Sequence, residues 1–229
     1  MPKLAHLFAI LLGAAGLVAC MGPRHALTAA DEWHPVALPG KDATRYEWVI
    51  KDGRPAIEAH SQRSASMWRR RLNRTPQEVG SVKFSWWVQD LVAQGNVAVA
   101  SLEDAPARVL FAFNGDSQTL PARTRALFDL AEALTGERPP YATLMYVWDA
   151  TAPVGTVIVN PRSDRIRKIV VDSGPQELRR WREHRRDLAA DFKLAFGEAH
   201  GPLTAVAIMT DSDNTSSSAR SWYGPVELH

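Results

Sequence analysis

Residues 203–228 read LTAVAIMTDSDNTSSSARSWYGPVEL and hold the clearest structural signals in the sequence. The apolar run 203–209 has the length of a strand that is buried on both faces. An acidic, amide-rich loop follows at residues 211–215, and a short aromatic strand comes after a spacer of small residues. Loops that follow buried strands often carry functional side chains. The stretch therefore predicts a β-rich fold with a candidate site in this loop.

The composition places limits on the class of protein. The chain has 229 residues, of which 45% are apolar and 23% are charged, as in an ordinary globular protein. This length suits one large β domain together with a leader. The net charge of +2 is too small to indicate a nucleic-acid partner. Eight tryptophans are many for this length, so some should lie in the core while others could line a groove.

The amino-terminal residues have the form of a secretory signal. An apolar run at residues 7–19 is too short to span a bilayer. It ends in Leu17-Val-Ala-Cys20, which resembles a bacterial lipobox, and Cys20 would then be the lipidated first residue of the mature protein. The alternative is an ordinary signal peptide in which Cys20 is incidental. Met21 is not aspartate, and by resemblance to enteric sorting signals this favours the periplasmic face of the outer membrane.

These features divide the chain into three parts. Residues 1–20 are predicted to be a lipoprotein-type signal peptide, residues 21–32 a tether, and residues 33–229 a single β-sandwich domain. We expect the protein to be anchored through lipid to the membrane of the bacterial cell envelope. Cys20 is the only cysteine in the chain, so the domain has no internal disulfide.

Alternation of apolar and polar residues predicts nine or ten short strands. Tyr46, Trp48 and Ile50 alternate with polar residues, and Asp52-Gly53 supplies a hairpin turn. This turn sets Trp48 opposite Ile57, and it also sets Glu47 opposite Glu58. We expect solvent to screen this like-charge pair, or the two carboxylates to share a cation or a proton.

Two helices are predicted beside the strands. The first covers residues 119–137, with Leu127, Leu130 and Leu134 as its apolar stripe and Gly136 as its stop. The second covers residues 174–196 and carries many arginines, which could meet an anionic lipid or polysaccharide or could form an ordinary solvated face. The predicted fold is mainly β. It is an antiparallel two-sheet β-sandwich of jelly-roll (galactose-binding-like) type with two amphipathic helices packed on it.

Standard catalytic and cofactor motifs are absent from the sequence. There is no GxSxG, P-loop, GxGxxG or HExxH pattern. Asp211, Asp213 and Asn214 could form a calcium loop, because hard cations prefer clustered oxygen ligands. The EF-hand pattern fails, however, since Ser216 and Trp222 occupy the positions of its glycine and glutamate. We therefore favour a turn stabilised by its own side chains and predict no metal or other cofactor.

An ordered set of motifs resembles the bacterial domain-of-unknown-function family 3047 over about residues 45–228. The motifs are Ser64-Ala-Ser66, Phe84-Ser-Trp86, Glu103-Asp104, Arg108-Val109, Leu144-Met-Tyr146-Val-Trp148, Trp181 to Asp187, Asp191-Phe192, Phe196-Gly197, Ala207 to Thr215 and Trp222-Tyr223-Gly224. The order of an apolar strand, a DNT loop and an aromatic strand is also similar to jelly-roll carbohydrate-binding modules. The family resemblance implies a fold but no activity.

The leading functional hypothesis is a non-catalytic binding module for a glycan or another envelope polymer. The candidate ligand-binding residues are Trp87 or Trp148 as an aromatic platform, with Asp104, Arg108, Asp211, Asp213 and Asn214 as polar groups. Asp104 and Arg108 could instead form an internal ion pair that secures the sheet.

Two other functions stay open at this point. One is an envelope glycan hydrolase that uses paired carboxylates from Glu47, Glu58, Asp104, Asp211 and Asp213, which would have to lie about 5 to 10 Å apart. The other is a scaffold or interaction lipoprotein that uses the arginine-rich segment.

Overall fold

The computed structural model describes residues 33–229, which form thirteen β-strands and two α-helices. The predicted signal peptide, Cys20 and the tether lie outside the described residues. Among the residues that the structure describes, no helix is long and apolar enough to cross a membrane.

Seven strands form the larger sheet in the order β1-β4-β11-β6-β7-β9-β8. Neighbouring strands are antiparallel except for β7 and β9, which are parallel. The strands are β1 (Trp33–Ala37), β4 (Ala65–Arg74), β6 (Arg108–Phe113), β7 (Ala142–Asp149), β8 (Val157–Asn160), β9 (Ser163–Ser173) and β11 (Leu203–Asp211).

The remaining six strands form the second sheet in the order β10-β5-β12-β3-β2, with β13 also paired to β5. They are β2 (Arg45–Lys51), β3 (Arg54–Gln62), β5 (Ser81–Val88), β10 (Trp181–Asp187), β12 (Ser218–Tyr223) and β13 (Glu227–Leu228). All of these pairs are antiparallel.

The main core lies between the two sheets. Inward-facing aromatic side chains meet there, as where Phe84 of β5 stacks on Tyr146 of β7 with 5.4 Å between ring centroids. Trp86 and Trp148 also contact each other, with centroids 6.3 Å apart. This arrangement is the predicted two-sheet β-sandwich of jelly-roll type, in which alternate residues of each strand face the core.

The β2–β3 hairpin has the predicted register. Trp48 pairs with Ile57 and Glu47 with Glu58. The two carboxylates do not share a cation, because Arg45 donates to Glu47 at 2.7 Å and Arg220 donates to Glu58 at 2.6 Å. Each acid thus has its own arginine, which reduces the repulsion between them.

The predicted helix over residues 174–196 is wrong in its first half. Strand β10 occupies Trp181–Asp187, and helix α2 covers only Leu188–Phe196. The inward-facing Arg182 and His184 of β10 both bind Asp172, so this strand satisfies its inner face with hydrogen bonds rather than apolar contacts. Because polar residues occupy both faces of β10, this segment lacks the alternation of apolar and polar residues that usually identifies a strand.

Helix α1 (Ala122–Thr135) lies where it was predicted and ends at Gly136, whose φ of 73° only glycine adopts easily. Its predicted buried stripe is wrong. Leu127, Leu130 and Leu134 are 49%, 56% and 71% exposed, and Phe128 is the side chain that the helix buries.

Candidate functional site

Strand pairing aligns side chains in rows across the outer face of the seven-stranded sheet, which points away from the main core. The central row consists of Arg69, Ala207, Leu110, Met145 and Lys168, on strands β4, β11, β6, β7 and β9. Small and flexible apolar side chains therefore occupy the middle of the row, and a cationic side chain stands at each end.

The two flanking rows have a similar composition. One consists of Arg71, Ala205, Ala112, Thr143 and Ile166, and the other contains Met67, Met209, Arg108 and Val147. Apolar members of the three rows belong to a second hydrophobic cluster, separate from the main core, that includes Leu110, Met145, Ala207 and Met209.

A groove of about 730 Å³ lies over these rows, and we call it the outer groove. Its floor consists of aliphatic and thioether side chains, including Leu110, Met145, Ala207 and Met209. None of the described residues that line it is aromatic. A floor of this kind offers an adaptable apolar surface, because methionine side chains fit contacts of many shapes.

One end of the outer groove is built around an ion pair between Arg108 and Asp211. The guanidinium donates from Nε to Oδ1 at 3.0 Å and from Nη2 to Oδ2 at 2.9 Å, and the Ala105 amide also donates to Oδ1 at 3.0 Å. Both side chains are buried. Burial raises the pKa of Asp211 to about 7, although Arg108 and the Ala105 amide act to lower it.

Asp104 has a different partner from the one expected. The alternative in which Asp104 and Arg108 form an ion pair is wrong, because the carboxylate of Asp104 faces the loop at residues 213–215. It accepts hydrogen bonds from the amide and side chain of Asn214 at 3.2 and 3.0 Å. It also accepts from the amide and hydroxyl of Thr215 at 2.7 and 2.6 Å. Asp104 thus fixes the loop against the segment that precedes β6.

The acidic residues of this loop approach each other closely. Carboxylate oxygens of Asp104, Asp211 and Asp213 lie within 4.8 Å of one another, which is a set of oxygens that a hard cation could use. Each carboxylate already has a donor, however. Lys41 forms an ion pair with Asp213, Arg108 holds Asp211, and the loop itself satisfies Asp104. These contacts give the cluster a structural role as a turn.

Glu103 and Lys168 belong to the same end of the groove and were not predicted. Lys168 is 0% exposed and donates from Nζ to Glu103 Oε1 at 2.7 Å and to the Val97 carbonyl at 2.5 Å. Arg162 and Asn160 also bind the Glu103 carboxylate. Burial lowers the pKa of Lys168 to about 8, and Arg108 adds to this effect. In the sequence, Lys168 could have been noticed because it stands between Ile166 and Val170, where the alternation of strand β9 would place an apolar residue.

The opposite side of the outer groove carries an arginine pair, in which the side chain of Arg71 is 68% exposed and that of Arg69 is 20% exposed. Arg69 and Arg71 both bind Glu137, which follows helix α1. Arg69 donates to the two oxygens of Glu137 at 2.8 and 3.0 Å, and Arg71 donates at 3.2 Å. The arginines hold the pKa of Glu137 below its usual value, chiefly through the bonds from Arg69.

The two candidate tryptophans lie away from the groove. Trp148 is 0% exposed and its Nε1 donates to the Gly174 carbonyl at 3.1 Å, so it cannot form an accessible platform. Trp87 lies on the outer face of the other sheet and packs edge-on against Trp222. The ammonium of Lys51 lies 3.9 Å from the centroid of Trp87 and covers its ring. The structure therefore groups the predicted polar residues but separates both tryptophans from them.

The candidate carboxylates are divided in the same way. Glu47 and Glu58 belong to the six-stranded sheet, where Glu58 lies opposite Trp222. Asp104, Asp211 and Asp213 stand at the outer groove of the seven-stranded sheet. The five residues therefore do not form one acid–base site.

A family described as "Protein of unknown function (DUF3047)" matches residues 31–227. The chain belongs to the DUF3047 family. Comparison with curated proteins gave no match.

Several solved structures are similar in fold to this DUF3047 chain. A family 11 carbohydrate-binding module of Clostridium thermocellum, in complex with a β-1,3-1,4-mixed-linked tetrasaccharide, is 8% identical, with a TM-score of 0.44 and coverage of 86% of this chain and 88% of that one. The xyloglucanase domain of NopAA from Sinorhizobium fredii, in complex with cellobiose, is 7% identical, with a TM-score of 0.45 and coverage of 87% and 94%. A cellulase derived from Cel12A of Rhodothermus marinus is 14% identical, with a TM-score of 0.45 and coverage of 88% and 93%. Likeness at this level does not assign a ligand.

Proposed function

We propose that this protein is a non-catalytic binding module of the bacterial cell envelope. Its ligand is a segment of a glycan or another envelope polymer, and that segment lies in the outer groove. The observation that carries the proposal is the groove itself. A concave space of about 730 Å³ lies over floor side chains that are themselves only 5–8% exposed, which is the form of a ligand pocket.

The state of the carboxylates supports binding over hydrolysis. A general acid or base must reach the substrate and must be able to exchange a proton with it. Glu103, Asp104 and Asp211 are buried, and each is held by cationic or hydrogen-bonding donors. Asp213 is more exposed but is paired with Lys41. Among the described residues at the groove, these four acids are therefore committed to internal contacts.

The location in the envelope rests on the sequence. The lipobox-like Leu17-Val-Ala-Cys20 would attach the domain to a membrane, and residues 21–32 would let the groove reach a polymer nearby. If so, Cys20→Ser should release the protein from the membrane fraction into the soluble fraction. Retention of this variant through detergent-free washing would contradict the anchor.

The function is tested by a combined binding and hydrolysis screen. The purified protein is applied to an array of envelope glycans, and the same glycans in solution are analysed for cleavage products. The proposal expects retention on some of these glycans without cleavage. Cleavage of any of these glycans by the purified protein would favour the hydrolase hypothesis. If no glycan on the array retained the protein, the proposal that its ligand is a glycan would be overturned.

A further inference from the structure

The composition of the outer groove restricts what can lie in it. Neutral sugars commonly stack on a flat aromatic face, and none of the described lining residues supplies one. The floor instead consists of Leu110, Met145, Ala207 and Met209, with Ala112 beside them. This surface matches a flexible apolar chain better than it matches a sugar ring.

The arginine pair at the groove adds a second restriction. Arg69 and Arg71 are two residues apart on β4, so both side chains extend from the same face of the sheet. Their common partner, Glu137, lies on the connection between α1 and β7. Strands β11 and β6 separate β4 from β7, and they carry the floor residues Ala207 and Leu110. The contact between Glu137 and the arginines therefore spans the groove.

This contact is accessible to another anion. Two guanidinium groups share one carboxylate, and the side chains of Glu137 and Arg71 are 45% and 68% exposed, so an anion from solvent can reach it. Arginine also binds carboxylate and phosphate with the same bidentate geometry. At the other end, Arg108 and Lys168 are buried against Asp211 and Glu103. The more exposed Arg162 and Lys41 at that end pair singly, with Glu103 and Asp213, and do not share one carboxylate.

We propose that the part of the ligand held in the outer groove is an anionic amphiphile. Arg69 and Arg71 bind its carboxylate or phosphate in the place that Glu137 occupies in the free protein, and the floor holds its apolar portion. This inference rests on the proposed function and specifies the chemistry of its ligand. Glu137 then acts as an internal competitor that the ligand displaces.

The test uses four small probes that separate charge from apolar surface. Decanoate and decyl phosphate carry both features, 1-decanol carries only the chain, and inorganic phosphate carries only the charge. Calorimetric titration into the full chain with Cys20→Ser should give affinities for the two charged amphiphiles at least about tenfold tighter than those for decanol or phosphate. The preference should weaken as salt is added, because Arg71 is 68% exposed and its charge is screened. Equal affinity for decanol and decanoate would overturn the inference, and a difference between decanoate and decyl phosphate would show which anion the pair prefers.

Variants locate the probes within the groove. Arg71→Gln, at an exposed site, and Arg69→Gln should each reduce the preference for decanoate over decanol. Glu137→Gln should strengthen decanoate binding severalfold, because the internal competitor loses its charge. Glu47→Gln is the matched control, since Glu47 is an exposed acid of the other sheet that pairs with Arg45. Weaker decanoate binding by Glu137→Gln, or an equal gain in Glu47→Gln, would overturn the role given to Glu137.

The failure of this inference can be distinguished from failure of the proposed function. Ala112→Trp fills the groove without touching either arginine's charge. One outcome is that neutral envelope glycans bind as tightly as anionic ones and that Ala112→Trp blocks their binding. The groove is then the binding site, but the amphiphile inference is wrong. If bound probes are unaffected by Ala112→Trp, the groove is not the site and both proposals fail.

Discussion

Arg108 on β6 donates two hydrogen bonds to Asp211 at the end of β11, and both residues are buried. The pair joins neighbouring strands at the end of the outer groove and anchors the loop that follows β11. Because an ion pair removed from water depends on both partners, the geometry of this end should be sensitive to the loss of either one.

Loss of the guanidinium should be strongly destabilising. We expect Arg108→Met to lower the free energy of unfolding by about 3–5 kcal/mol, because a buried carboxylate is left without its cation. Denaturant unfolding measures this change. The double variant Arg108→Met/Asp211→Leu should cost much less than the sum of its two single variants. Additive costs would mean that the two residues are not coupled.

Lys168 predicts an alkaline pH dependence of stability. Its pKa is lowered from 10.5 to about 8 in the folded protein, so the unfolded chain binds more protons between these values. Stability from this group should therefore rise with pH across that window, by at most about 1.4 kcal/mol per pH unit. Chemical unfolding of wild type and Lys168→Met should show a difference, wild type minus variant, that increases from pH 8 to 10.5. A constant or falling difference would be inconsistent with the lowered pKa.

The loop at residues 213–215 should behave as a turn held by Asp104. Asp104→Ala removes the acceptor of four hydrogen bonds and should cost about 3 kcal/mol, whereas Asn214→Ala should cost about 1 kcal/mol. Thermal unfolding compares the two variants, and added calcium should leave the wild-type melting temperature unchanged. A calcium-dependent rise that disappears in Asp211→Ala would instead make these carboxylates metal ligands.

Helix α1 should depend on one aromatic side chain and not on its leucines. Phe128→Ala is expected to cost about 3 kcal/mol because it empties a buried site. Leu134→Gln should change stability by no more than about 0.5 kcal/mol, since Leu134 is already 71% exposed. Equilibrium unfolding of the two variants tests this order, and a larger loss in Leu134→Gln would show that the leucine stripe is covered in solution.

Local patterns in the sequence were enough to predict the fold class, the β2–β3 register and the candidate loop. The turn at Asp52-Gly53 and the apolar run that became β11 each carry their signal within a few residues. Strand β10 was missed because its inner face is polar and hydrogen-bonds to Asp172. Asp172 also accepts a hydrogen bond from Trp86, which is distant in sequence, so this buried polar contact could not be predicted from a local pattern.

The candidate site could be predicted only in part. Asp104, Arg108, Asp211, Asp213 and Asn214 do lie together, whereas Trp87 and Trp148 lie elsewhere. Which face a strand residue occupies depends on the pairing of the whole sheet. The contacts of Lys168 with Glu103 and of Arg69 with Glu137 bring together residues far apart in sequence, and no local pattern encodes them.

The position of the ligand in the outer groove is tested by the affinity of three proteins for the strongest ligand found on the envelope-glycan array. Wild type is compared with Ala112→Trp, which fills the outer groove, and with Lys83→Trp, which adds the same ring to the outer face of the other sheet. We predict that Ala112→Trp loses at least about tenfold in affinity while Lys83→Trp binds as wild type does. Unchanged binding by Ala112→Trp, or a loss confined to Lys83→Trp, would place the ligand outside the outer groove and contradict the proposed binding site.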